Sequence, residues 1–194
     1  MKFLKRSYNF SKKAKLDKLC EHEGFRVPLE YILFDEGNLI ASDGYVLIVI
    51  PIEIISNLEQ SDIEKLNGHL IHYSVFAKLI KMDAIIEITD TYIKAYNDIA
   101  YPIEVSFPIE VNGADEGYKY YDYKKILNNM YHAPKNTSEE ICFDAKMLND
   151  LCAAVGQHNP IITPNGENGA IKVRFKEVPY DRIQAAIMPR LFKD

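Results

Sequence analysis

The stretch Ala41-Ser42-Asp43-Gly44-Tyr45-Val46-Leu47-Ile48-Val49-Ile50-Pro51 joins a turn to an uncharged run. Ser-Asp-Gly is turn chemistry: Asp bonds its own local backbone, and Gly accepts backbone conformations that other residues resist. The run after it is β-branched and apolar, is short, and ends at a proline. That pattern reads as a hairpin corner feeding a buried strand.

Working outward, the same period logic places this strand in a unit from about Met1 to Ile54. A short strand opens it. SKKAKLDKLCEHEG follows, in which Ser11 can cap a helix N-terminus, Leu16, Leu19 and Cys20 recur at helical spacing, and Gly24 ends it. Strands are expected at Glu30–Phe34, Asn38–Ser42 and Tyr45–Glu53, with turns at Asp35-Glu36-Gly37-Asn38 and Ser42-Asp43-Gly44.

A second unit spans about Asn67 to Pro108: a strand near His69–Ile71, a helix over YSVFAKLIKM, then strands at Ala84–Thr89, Tyr92–Tyr96 and Ile99–Phe107. A third spans about Glu139 to Leu191: strand EICF, Asp144 as a cap, and an apolar helical stripe of Met147, Leu148, Leu151, Cys152 and Val155 that Gly156 ends. Its strands lie near Ile161–Thr163, Ala170–Lys176 and Arg182–Met188. The order strand–helix–strand–strand–strand thus occurs three times, which predicts an α+β fold of antiparallel sheets on one side with amphipathic helices on the other. The Gly-containing, tyrosine-dense stretch 111–137 breaks the order and reads as a linker, between a domain at 1–110 holding two units and a half-domain unit at 138–194.

The 194 residues are 47% hydrophobic and 26% charged, the balance of a folded chain with a core of useful size. A formal net charge of −5 excludes a globally basic nucleic-acid binder. Cys20, Cys142 and Cys152 show no CxxC spacing and read as buried reduced thiols, which fits a cytoplasmic protein. MKFLKRSYNFSKK lacks a signal-peptide core, and the run Val46–Ile55 is too short and too polar to span a bilayer, so no targeting or membrane segment is expected.

The search for catalytic motifs finds no GxxxxGK[ST], GxGxxG, GxSxG or HExxH, so no enzyme, cofactor or metal site is expected. His69 and His72 in HLIH would share a helical face, but on a strand they point apart, and no further ligand is near in sequence. Positive charge gathers on the predicted helices: Lys12, Lys13, Lys15 and Lys18 on the first, Lys78 and Lys81 on the second, Lys146 on the third. Acidic residues gather elsewhere, at Glu53–Glu64, Asp83–Asp98 and Glu104–Glu116. Such helices could hold a phosphate backbone, or the lysines could be the solvated flanks of amphipathic helices.

Four stretches, in this order, resemble the bacterial DNA polymerase III β subunit, or sliding clamp. NLIASDGYVL (38–47) is similar to the family's strand–turn motif ending Thr-Asp-Gly-His-Arg-Leu. Tyr121-Asp122-Tyr123-Lys124-Lys125-Ile126-Leu127 is similar to the Pro-Asp-Tyr segment joining clamp domains. EICFDAKMLNDLCAAVG (140–156) resembles the opening of the last half-domain, and Ala186-Ile187-Met188-Pro189-Arg190-Leu191 the ending Val-Met-Pro-Met-Arg-Leu.

The resemblance implies a DNA-clamp-like fold with helices lining a hole, so that the lysine-flanked helices would face duplex DNA. It also implies a hydrophobic groove for short peptide motifs of replication-type partners. One wall would be Ser42, Gly44, Tyr45, Val46 and Leu47, the other Ile187, Met188, Pro189, Arg190 and Leu191. Tyr45-Val46 replaces the family's His-Arg, one residue is missing from the ending, and about three units stand where a clamp subunit has six. A ring would need a homo-oligomer, and four copies would supply the number of units. Two readings stay open: a non-catalytic processivity or recruitment factor bound to DNA, and a clamp-fold module that no longer binds DNA.

Overall fold

The hairpin forms where the turn predicts it. Strand β1 (Tyr31–Asp35), β2 (Asn38–Ser42) and β3 (Val46–Pro51) pair antiparallel in succession, with Ser42 opposite Leu47 at the Ser-Asp-Gly corner. At the β1–β2 turn Glu36 and Gly37 both hold positive φ, 48° and 73°, as a two-residue hairpin turn demands. This computed structural model describes residues 9–82, 84–96, 104–132, 141–165 and 169–189.

The remaining strands are β4 (His69–His72), β5 (Ile85–Ile88), β6 (Tyr92–Tyr96), β7 (Glu104–Pro108), β8 (Glu110–Val111), β9 (Pro160–Thr163), β10 (Ile171–Phe175) and β11 (Gln184–Ile187). Among the described residues they build an eight-stranded antiparallel sheet, β8-β4-β1-β2-β3-β11-β10-β9, and a three-stranded sheet, β5-β6-β7. The helices are α1 (Ile52–Ile55), α2 (Gln60–Leu66), α3 (Tyr73–Leu79), α4 (Tyr123–His132) and α5 (Ala145–Val155). The fold is α+β, of the clamp type the sequence predicts.

Period-two alternation splits the central strands between two cores. Ile32, Phe34, Val46, Ile48 and Ile50 enter the larger core with α3, α5 and the three-stranded sheet. Leu33, Ile40, Leu47 and Val49 enter a smaller core on the opposite face, with Tyr120, Tyr123, Leu127 and Met130. Strand β3 is therefore apolar without interruption because both its faces are covered.

Four local expectations are corrected. The first predicted helix is only a 3-10 turn, Leu16–Leu19: Lys15 N–H, which a helix capped by Ser11 would direct to Ser11 O, donates to Ala154 O instead. A tertiary partner takes a donor the helix would need. The strand opening that unit is an isolated bridge, Phe10 to Ser56. Ile141–Phe143 pair with no strand among the described residues, although α5 starts as predicted, its Asp144 cap accepting from Lys146 N–H at 2.9 Å. The stretch read as linker carries α4, a ten-residue amphipathic helix. Residues 99–103, assigned to a strand from the sequence, lie outside the described residues.

Helix α4 is pinned by charge as well as packing. Tyr123 Oη donates to Asp35 Oδ2 at 2.8 Å, and Lys124 Nζ reaches Asp35 at 2.8 Å and Glu36 at 2.9 Å. Burial pushes the Asp35 carboxyl up, but hydrogen bonds from Lys124 and Tyr123 outweigh it and hold it below the usual carboxylate range. A depressed folded value means the contribution is complete above the unfolded value, about 3.9, and is lost as pH falls through the folded one. Thermal melts across the acid range should therefore show the wild type losing stability more steeply than Asp35→Asn below about pH 4. Equal acid slopes would show that the contact does not couple to folding.

Candidate functional site

The site is built at the seam where β3 meets β11. The two strands pair antiparallel with Leu47 opposite Ala186 and Val46 opposite Ile187, and Met188 N–H donates to Tyr45 O at 2.8 Å. The Ser42–Val46 corner is held by its own side chains. Asp43 Oδ1 accepts from Tyr45 N–H and Val46 N–H, both at 2.8 Å, and Ser42 Oγ accepts from Gly44 N–H at 3.0 Å. Asp43 and Ser42 are thus turn builders. Gly44 is required by its φ of +90°, a conformation other side chains resist.

Beside this corner opens a cavity of about 360 Å³. Ser42, Gly44, Tyr45, Val46, Leu47, Ala186 and Met188 form the strand side. Pro28 and Leu29 come from a 3-10 turn, Val27–Glu30, and Tyr121 and Ile126 from the start of the α4 region. Arg26 and Lys119 supply the cations among the lining residues. Arg26 stands over the Tyr45 ring at 5.7 Å, within cation–π reach. Burial pushes the Tyr121 phenol up to about 12, so it stays a neutral hydroxyl at physiological pH. The arrangement is an apolar groove with a soft methionine at its lip and charge at its rim, suited to an apolar anchor.

The structure thus brings together six of the predicted groove residues: Ser42, Gly44, Tyr45, Val46, Leu47 and Met188. Ile187 is fully buried in the larger core, because the next residue along a strand faces the other way. Pro189 is half-buried beside the seam without lining the cavity, and Arg190 and Leu191 lie outside the described residues. Sequence reasoning missed Arg26, Pro28, Leu29 and Lys119. Tyr121 and Ile126 fell within a stretch singled out for resemblance, which was the available signal.

The lysines fall on the helical layer. The Leu16–Leu19 turn packs against both α3 and α5; Lys18, Lys78 and Lys146 are exposed on these three pieces, Lys12, Lys13 and Lys15 are exposed in the segment before the turn, and Lys81 is exposed just after α3. Lys146 pairs with Asp150 at 2.7 Å, which raises its ammonium pKa; the other six make no ion pair among the described residues. His69 and His72 lie on a strand and take different partners, Asp90 O at 3.1 Å and Glu30 Oε2 at 3.3 Å. No group of three or more metal-ligating side chains occurs among the described residues, and no described helix is long and apolar enough to cross a membrane.

No protein-family model and no curated protein sequence matches the chain. Solved structures do match. The DNA polymerase III subunit beta sliding clamp of Bartonella birtlesii, bound to griselimycin, aligns with a TM-score of 0.59 at 14% identity, over 99% of this chain and 69% of that one. The Helicobacter pylori beta clamp bound to a DNA ligase peptide aligns at 0.57 and 10% identity, over 99% and 68%. The PCNA2–PCNA3 complex of Sulfolobus tokodaii aligns at 0.52 and 12% identity, over 96% of this chain and 99% of its match. With its seam, its helical layer and these neighbours, the chain has the sliding-clamp fold in shortened form.

Proposed function

We propose that this protein is a non-catalytic, cytoplasmic recruitment module that captures short peptides from replication-type partners in the β3–β11 groove. The observation that carries the reading is the open apolar cavity between the Ser42–Leu47 corner and Met188. Tyr45 and Met188 keep 53% and 42% of their surface exposed there, although both are large apolar side chains at a strand end. Such an exposed patch over a preformed cavity is the usual mark of a binding site. A clamp of the same fold holds a DNA ligase peptide. A fluorescently labelled peptide with paired Leu and Phe anchors should show saturable anisotropy with this protein, and the same peptide with both anchors changed to Ala should not. Equal weak binding of both removes the reading.

A second reading, association with duplex DNA, is favoured by six exposed lysines, on or next to the Leu16–Leu19 turn and α3, that make no ion pair among the described residues. Backbone contacts of this kind have a defined signature: affinity falls with log salt at about −0.9 per phosphate contact. Duplex DNA retained at low salt should therefore be released as salt rises, and Lys15→Gln with Lys18→Gln should flatten the slope by about one per contact removed. Absence of retention at low salt ends the DNA reading and leaves the groove reading standing.

A further inference from the structure

The chain contains its own precedent for joining two units. Strand β4, which leads into α3, pairs antiparallel with β1, the strand that follows the Leu16–Leu19 turn of the other unit: Tyr31 faces His72, Ile32 faces Ile71 and Leu33 faces Leu70. The segment before one helical element thus covers the edge of the strand after another.

The C-terminal unit has both halves of that joint, and among the described residues neither is used. Strand β9, which follows α5, is the last strand of the eight-stranded sheet and pairs with β10 alone among the described residues. Its edge is uncharged over 158–165, and Ile161 and Ile162 remain 39% and 36% exposed. Natural edges are protected by charge, by proline or by shortness; β9 carries no charge, and Pro160 stands at its first position, where an edge strand accepts it, which leaves Ile161 to Thr163 as an apolar edge able to pair. The segment leading into α5, Ile141-Cys142-Phe143, is uncharged and alternates as a strand does: Ile141 and Phe143 pack on the larger core, and Cys142 falls between them. It has no strand partner among the described residues.

We infer that two copies of this chain join through their C-terminal units, Ile141–Phe143 of each covering β9 of the other. The contact is isologous: one two-fold axis satisfies both edges at once, as a closed dimer requires. It repeats between copies the joint that β4 and β1 make within the chain, and both contacting segments are free of charge. Register follows from the faces. Ile162 and Pro160 stand opposite Val173 and Phe175, which are buried in the larger core, so Ile161 and Thr163 face the other side. Cys142 faces that side too, and its thiol is free.

The full-length protein tests this. Light scattering at tens of micromolar should give twice the chain mass, and Ile162→Lys should raise the dissociation constant roughly tenfold or more, at an unchanged circular dichroism spectrum. Ile161→Cys, oxidised with copper phenanthroline, should form an inter-chain disulfide with Cys142 of the other copy, and adding Cys142→Ser should abolish it. This variant reports the contact even where Ile162→Lys fails to fold. A monomer at every concentration overturns the inference. So does an Ile161→Cys crosslink that persists without Cys142, which would mean β9 pairing with β9.

Discussion

Met188→Lys should lower affinity for a Leu/Phe peptide by two orders of magnitude or more while leaving the melting temperature within a few degrees. Met188 sits at the lip of the groove with nearly half its surface exposed, so the folded state tolerates a long polar side chain there. The bound state does not. An apolar anchor seated on Met188 would bury the new ammonium without a counter-ion, beside Arg26 and Lys119. Removing a buried apolar contact and desolvating an unpaired charge together cost several kcal/mol, and about 1.4 kcal/mol is a tenfold change. Leu47→Asp is the contrasting variant. Leu47 is 4% exposed and packs in the smaller core, so a carboxylate there should unfold the protein rather than report on binding. Anisotropy titration and thermal melting of both variants check the pair of outcomes. Peptide binding by Met188→Lys at wild-type strength would place the peptide elsewhere.

Phe34→Ala should destabilise the fold by about 3–5 kcal/mol, the range for a fully buried phenylalanine. Phe34 is fully buried, and its ring lies 6.1 Å from that of Phe10, which in turn lies 5.1 Å from Phe76. This aromatic row joins three elements: β1, α3 and the 9–14 segment, which is also tied by the Phe10–Ser56 bridge and by hydrogen bonds of Asn9 and Ser11 to Asn57, Leu79, Met82 and Ile55. The loss therefore combines a cavity with a loosened N-terminal segment. Denaturant titration should show a lower midpoint, and hydrogen exchange should show faster opening of residues 9–19 than of β2 and β3. A cost below about 1 kcal/mol would mean that the core closes over the gap.

How much of this was legible in the sequence depends on whether the signal is local. The Ser42-Asp43-Gly44 corner was readable because the turn is made by its own residues: Asp43 bonds Tyr45 and Val46, and Gly44 supplies the positive φ. The α5 boundaries were readable for the same reason, with the Asp144 side chain at one end and Gly156 at φ 68° at the other. The uncharged run Val46–Ile50 announced a buried strand but not its second cover, since apolar character says that a face is hidden and not by what. That cover is α4. Its buried stripe among the described residues is Tyr123, Leu127 and Met130, set among tyrosines, lysines and asparagines, and so it reads as linker.

Helical spacing failed at Lys12–Cys20, where Ala154 O takes the Lys15 N–H. Side-chain pattern cannot register a competition for hydrogen bonds with residues far along the chain. The groove was half legible. The corner and Met188 came from stretches that resemble the clamp family, whereas Arg26, Leu29 and Lys119 reach the cavity only through the folding of separate segments onto one seam. The sequence by itself determined the Ser42-Asp43-Gly44 corner, both ends of α5 and the hairpin strands of each unit, because those rest on interactions a few residues apart. Only the tertiary structure decided which strands meet, which residues share a cavity, and which edge is left bare, because those depend on where distant segments come to rest.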